Sequence, residues 1–194
     1  MLALIAAYWV VHRTPAPPKP PPKAVFVARG CTLRHFPSAG RKHVSGSKPP
    51  SAYRIEYVAP SHLGKNPDGT TVKYDSFPPT SGPHYPQWVT WGTYGKPLPE
   101  IAAVHNLEHG GVIVQYGSSV APSTVKKLER FVAASPNGML MAPLPRLGDR
   151  MVLTAWTYLA ACSRFTQRAF ALFRDTFRFK GPERFPPSSL APGD

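Results

Sequence analysis

A chain of 194 residues, 42% apolar and 11% aromatic, has room for one folded domain with a short extension and is too rich in core-forming residues to be disordered throughout. Its 25 prolines, far above the usual ~5% share, argue for ordered loops and a linker rather than long helices. A net charge of +13 favours anionic surroundings such as nucleic acid, acidic lipid headgroups or a polyanionic wall. No nucleic-acid-reading motif or basic–aromatic interleaving accompanies that charge, so a nucleic-acid binder is disfavoured and a solvated basic surface preferred.

In chain order, residues 1–11 are apolar without interruption, about half of the ~20 residues that a membrane span needs. They read as the end of a truncated membrane anchor (1–13), ahead of an atypical signal or a plain buried helix. Arg13, Lys19 and Lys23 stand on the wrong side for an exported domain unless more basic residues precede them. Residues 14–23 (TPAPPKPPPK) form a stiff, extended proline linker. Residues 24–27 suggest a short strand, 34–51 a polar stretch with His35 and His43, and 53–58 an alternating strand. Residues 59–76 read as a turn-rich insertion with hairpin chemistry. The loop 77–86 (FPPTSGPHYP) is held rigid by its prolines and can fix His84 and Tyr85. Trp88, Trp91 and Tyr94 supply an aromatic patch, read as a core lid in preference to a ligand-stacking surface. Then follow a short helix over 99–107, a buried strand over 112–116, an amphipathic helix over 123–134, strands over 139–143 and 151–158, and a helix over 164–178. Residues 186–194 read as a flexible tail.

Neither Cys31 nor Cys162 sits in a CxxC, which excludes a zinc ribbon or a thioredoxin-type redox pair. In an exported protein the two would form a disulfide; the alternative is two buried free thiols. There is no phosphate-cradling glycine loop and no serine-nucleophile elbow. Histidine carries what chemistry remains. His105 and His109 are four apart and share a helical face, Glu108 lies between them, and Gly110-Gly111 break the chain. With His84 and, as a further candidate, His43, they offer imidazole donors to copper or zinc. Met139 and Met141 alternate onto one strand face and would add soft sulfur ligands for monovalent copper if they reached the same place; a core position is the competing reading. His105-x-x-Glu108-His109 also fits the inverted zinc-peptidase motif, but the two glycines end the helix that this reading needs. A metal-free alternative has the histidines bonding loop carbonyls.

The run PPTSGPHY from Pro78 to Tyr85, Trp88, Gly92-x-Tyr94, the VHNLEHGG run from Val104 to Gly111, Thr154-Ala-Trp156 and Phe177 to Glu183 together resemble the bacterial domain-of-unknown-function family 3105, with His43-Val44 resembling its early block. The resemblance spans roughly residues 43–183 and departs at the insertion 59–76. It implies an N-terminal membrane anchor with an extracytoplasmic domain and implies no activity.

The expectation is therefore a single α+β domain over 24–185, a small mostly antiparallel sheet with two or three helices and proline-rich loops. Its function is read as non-enzymatic metal binding on the extracytoplasmic side of the cell membrane, copper before zinc. Candidate ligands are His84, His105, His109, Glu108, Met139 and Met141. The alternative is an accessory domain that docks a membrane or envelope partner through an aromatic, basic surface, and a zinc peptidase comes third.

Overall fold

The computed structural model describes residues 23–63 and 69–193. The anchor expected over 1–13 and nearly all of the linker lie outside the described residues. The elements are α1 (Lys23–Val27), β1 (Cys31–His35), β2 (Arg54–Tyr57), β3 (Thr71–Tyr74), β4 (Gly92–Thr93), α2 (Glu100–Glu108), β5 (Val112–Tyr116), α3 (Pro122–Ala133), β6 (Met139–Pro143), β7 (Met151–Ala155), β8 (Tyr158–Cys162) and α4 (Gln167–Phe177). This is the α+β architecture expected. The main sheet runs β1-β8-β7-β5-β6-β4, antiparallel from β1 to β5 and parallel from β5 through β6 to β4. Parallel neighbours need a long crossover connection, and α3 supplies the one between β5 and β6.

Side chains alternate across the sheet, and this alternation divides the core. On one face Leu128, Phe131 and Val132 of α3 and Phe170, Phe173 and Phe177 of α4 pack with Val112, Val114, Met139 and Met141. On the other, Ile113 and Leu140 meet Ala103 and Leu107 of α2. The opposite side of α2 turns Ile101 and Val104 to Tyr53 and to Val72 and Tyr74 of β3, which pairs in parallel with β2. Enclosed between the two sheets, α2 is buried at every position from Ile101 to Glu108. Its sequence fits that place, because a helix with no solvent face needs no polar stripe.

The end of α2 is defined by glycine. Gly110 takes a left-handed φ of 87°, its N–H donates to Leu107 O and that of Gly111 to Asn106 O, the paired bonds of a Schellman stop. A side chain at Gly111 would run into the Trp91 ring 2.4 Å away. The helix therefore stops at His109 and β5 begins at Val112.

Four local expectations are corrected. Residues 24–27 are helical, not extended: the segment closes a helical turn, with Ala28 N donating to Ala24 O, and that turn buries Phe26 in the main core. Among its described residues the insertion 59–76 shows no hairpin; it carries β3, which runs parallel to β2. The expected strand 151–158 is two strands, reversed at Trp156-Thr157, where Thr157 adopts a φ of 63° with its N–H bonded to Thr80 O. The expected tail is tied down, with Leu190 buried against Trp91 and Leu140 and its carbonyl accepting from Gly138 N.

Cys31 and Cys162 face each other in the β1–β8 register and form a disulfide. The bond closes a stretch with a sequence separation of 131, for which loop-closure entropy gives about 5 kcal/mol. A Cys31→Ser/Cys162→Ser chain is expected to lose several kcal/mol of unfolding free energy in urea. Superimposable denaturation curves for the double variant and the oxidised wild type would contradict this.

Candidate metal centre

Four segments converge at the C-terminal end of α2. The helix brings His105, Glu108 and His109 on one side, as the spacing dictates. The proline loop brings His84, held because Gly82 takes a φ of 124° against the Tyr74 ring and because the Tyr74 hydroxyl donates to Pro83 O at 2.7 Å. Residues 40–44 run alongside that loop in a short parallel bridge, with His84 N donating to Lys42 O and Val44 N to His84 O, which sets His43 beside His84. The fourth segment follows α4. Phe179 N donates to Gly110 O and Glu183 N to Glu108 O. A side chain at Gly181 would lie 2.2 Å from Glu108 O, so only glycine lets this strap reach the helix end and present Glu183.

The ring nitrogens have defined roles. His84 Nδ1 lies 2.9 Å from Gly82 O, and His105 Nδ1 lies 2.9 Å from Tyr85 O. A carbonyl only accepts, so each Nδ1 donates, and in the neutral ring each Nε2 keeps a lone pair. His84 Nε2 then faces Glu108 Oε2 at 2.9 Å with both side chains buried, yet neither atom makes a hydrogen bond. Two buried acceptors at this distance require something positive between them, a proton or a metal ion. His105 Nε2 and His109 Nε2 are 3.0 Å apart, and His109 Nε2 is 3.3 Å from Glu183 Oε2. His43 Nε2 stands 3.9 Å from Glu108 Oε2, and Arg41 Nε 3.6 Å from Glu108 Oε1.

Burial lowers the basicity of the imidazoles. His84 and His109 are each lowered to about 4, the latter also by neighbouring His105, and His105 moves in the same direction through burial. Burial pushes Glu108 up, reinforced by Glu183. Neutral imidazole is the form that ligates metal.

The donor atoms form two compact sets, His43–His84–His105–Glu108 and His105–His109–Glu183, each within 4.8 Å. Of the sequence candidates, His43, His84, His105, Glu108 and His109 meet here. Met139 and Met141 do not: their sulfurs lie on the α3/α4 face of the sheet, with Leu128 and Phe131, while α2 occupies the other face. Glu183 enters the sequence reading only as part of a family block, with no role, and Arg41 not at all. Trp91 is core as expected, whereas Trp88 is 46% exposed and edges onto both His105 and His109. Asn106 fixes Trp88's loop by bonding both Val89 N and Val89 O.

A sequence profile of the family described as protein of unknown function (DUF3105) matches residues 65–189. The chain belongs to this family. The DUF3105 match takes in His84, His105, Glu108, His109 and Glu183, whereas Arg41 and His43 come from the preceding segment. No curated protein and no solved structure matches the chain.

Two outcomes test this geometry. Gly181→Ala is expected to destabilise the domain by about 1–3 kcal/mol, the usual result of overpacking, with a readout in thermal unfolding. Wild-type stability there would contradict the close approach of strap and helix. The second outcome concerns pH. An unfolded histidine titrates near ~6.5, above the value of about 4 for folded His84 and His109, so the unfolded chain binds those protons first. Metal-free protein should have the full imidazole contribution above about 6.5 and lose it as pH falls toward about 4. Glu108, raised by burial, acts in the opposite sense, losing stability as pH rises from the ordinary carboxylate range. The contribution is therefore read as the difference between wild type and His84→Gln, which should shrink the acid-side slope.

Proposed function

We propose that this DUF3105 domain binds one divalent transition-metal ion, zinc or copper(II), in an extracytoplasmic compartment, tethered to the membrane by the segment that precedes the proline linker. The observation that carries the reading is the buried pair His84 Nε2 and Glu108 Oε2, 2.9 Å apart and without a hydrogen bond. Backbone carbonyls that orient the far nitrogen of His84 and His105 are what fixes imidazole ligands in metal sites. Bonds of ~2.0–2.2 Å to nitrogen and oxygen, at tetrahedral or octahedral angles, place neighbouring ligand atoms about 3 Å apart, near the 2.9 Å separation here. With the methionine sulfurs on the other face, the donors are imidazole and carboxylate, a borderline set that suits divalent zinc or copper rather than monovalent copper. The buried disulfide supports an oxidising compartment.

A peptidase is disfavoured because Glu108, 2.9 Å from His84 Nε2, stands among the donors themselves as a ligand would, whereas a peptidase's general base is not a ligand of the ion. A docking role draws support from Trp88 and Phe185, both exposed and both against His109. A docking surface predicts that Trp88→Ala abolishes partner capture and leaves metal content intact.

Full-length protein purified aerobically without chelator is expected to carry one equivalent of zinc or copper by elemental mass spectrometry. Replacing His84 and His105 together with alanine should raise Kd by at least about a hundredfold, more than loss of a ligand-orienting partner alone. Absence of stoichiometric metal, with no thermal stabilisation on adding zinc or copper(II), removes the proposal.

A further inference from the structure

The two donor sets share a single residue, His105, and this has a consequence for how an ion is held. The inference rests on the metal-binding reading above. His105 Nδ1 is engaged by the Tyr85 carbonyl at 2.9 Å, so only its Nε2 lone pair can ligate, and one lone pair serves one ion. The donors do not form one polyhedron either. They divide into two compact sets instead of a single one, while ligands on opposite sides of one ion with ~2.1 Å bonds stand only about 4.2 Å apart. Two-metal sites do hold ions ~3.5–4 Å apart, but here no carboxylate is common to the two sets, so the repulsion between two dications would go unscreened by a shared anion. One ion with two alternative positions satisfies all three constraints.

The two positions differ in character. The His84 side has four donors, among them the buried nitrogen and oxygen that lack hydrogen bonds, so it gains most from an ion. Its outer edge is guarded by Arg41, whose guanidinium lies 3.6 Å from Glu108 and opposes an approaching cation. The His109 side has three donors, and its carboxylate, Glu183, is 39% exposed. On a chain of net charge +13, that outward carboxylate is where a cation meets a favourable local field. The exposed rings of Phe185 and Trp88 flank this side, with centroids 4.1 Å and 4.9 Å from that of His109.

We infer that the centre is a two-position relay for a single divalent ion: His109 and Glu183 capture it together with His105, and His105 passes it to the holding set of His43, His84 and Glu108.

The test is stopped-flow uptake of Co²⁺ by the full-length metal-free protein, followed through cobalt ligand-field absorption, with an equilibrium titration alongside. A residue that acts only on the way in changes the association and dissociation rates by the same factor and leaves Kd alone. Glu183→Gln, a half-exposed position that tolerates substitution, should therefore slow uptake about tenfold with Kd within about threefold, because the loss is of steering and encounter rather than of final contacts. Glu108→Gln should raise Kd at least about thirtyfold, chiefly through faster release, as expected for a final ligand. The wild type should saturate at one equivalent. The relay is overturned if Glu183→Gln raises Kd as much as Glu108→Gln does, if it leaves rate and affinity both unchanged, or if two equivalents bind. A wild type that takes up neither cobalt nor zinc sinks the metal-binding reading itself, a separate result.

Discussion

Helix α2 lies between two sheets, and nearly everything else follows from that enclosure. A helix with solvent on one side can turn its polar residues outward. This one meets Ile113 and Leu140 on one flank and Val72 and Tyr74 on the other, so His105, Asn106, Glu108 and His109 must find partners inside the protein. Burying such groups without partners costs several kcal/mol each. The surrounding loops are shaped to meet that demand: Val89 closes on Asn106 and Tyr85 on His105. The demand is met everywhere except between His84 and Glu108.

That exception is a matter of proton inventory rather than of distance. Each backbone carbonyl that fixes an imidazole also decides which nitrogen carries hydrogen, and so which nitrogen points at its neighbours as a lone pair. Gly82 and Tyr85 make this choice for two rings at once. Glycine acts a second time at the helix end, where Gly110 and Gly181 abut so closely that no side chain fits between them. The first effect aims the donors and the second admits Glu183.

The helix, the glycine stop, the following strand and the donors His84, His105, Glu108 and His109 are legible in the sequence because each depends on short-range spacing. Four residues separate two histidines on one helical face, and prolines stiffen the loop that bears the third. What eluded the sequence depends on long-range placement. Alternation states that Met139 and Met141 share a face, but only the sheet order reveals that this face belongs to α3 and α4 rather than to α2. Glu183 is recruited through main-chain bonds from Phe179 and Glu183 to the end of α2, contacts that leave no side-chain pattern. Likewise, β2 and β3 pair in parallel across an intervening insertion whose turn residues suggest a hairpin. Trp156-Thr157 conceals a reversal because neither residue is a habitual turn former.

The Cys31–Cys162 bond also sets the covalent bookkeeping of the centre. Arg41, His43, His84, His105, Glu108 and His109 all lie inside the loop it closes, and Glu183 lies beyond it. A protease that nicks the chain once between the two cysteines therefore leaves all five inner donors in one covalently joined molecule. A single cut between Cys162 and Glu183 instead breaks the covalent link between Glu183 and the other donors, leaving the strap held at the end of α2 by its main-chain bonds alone.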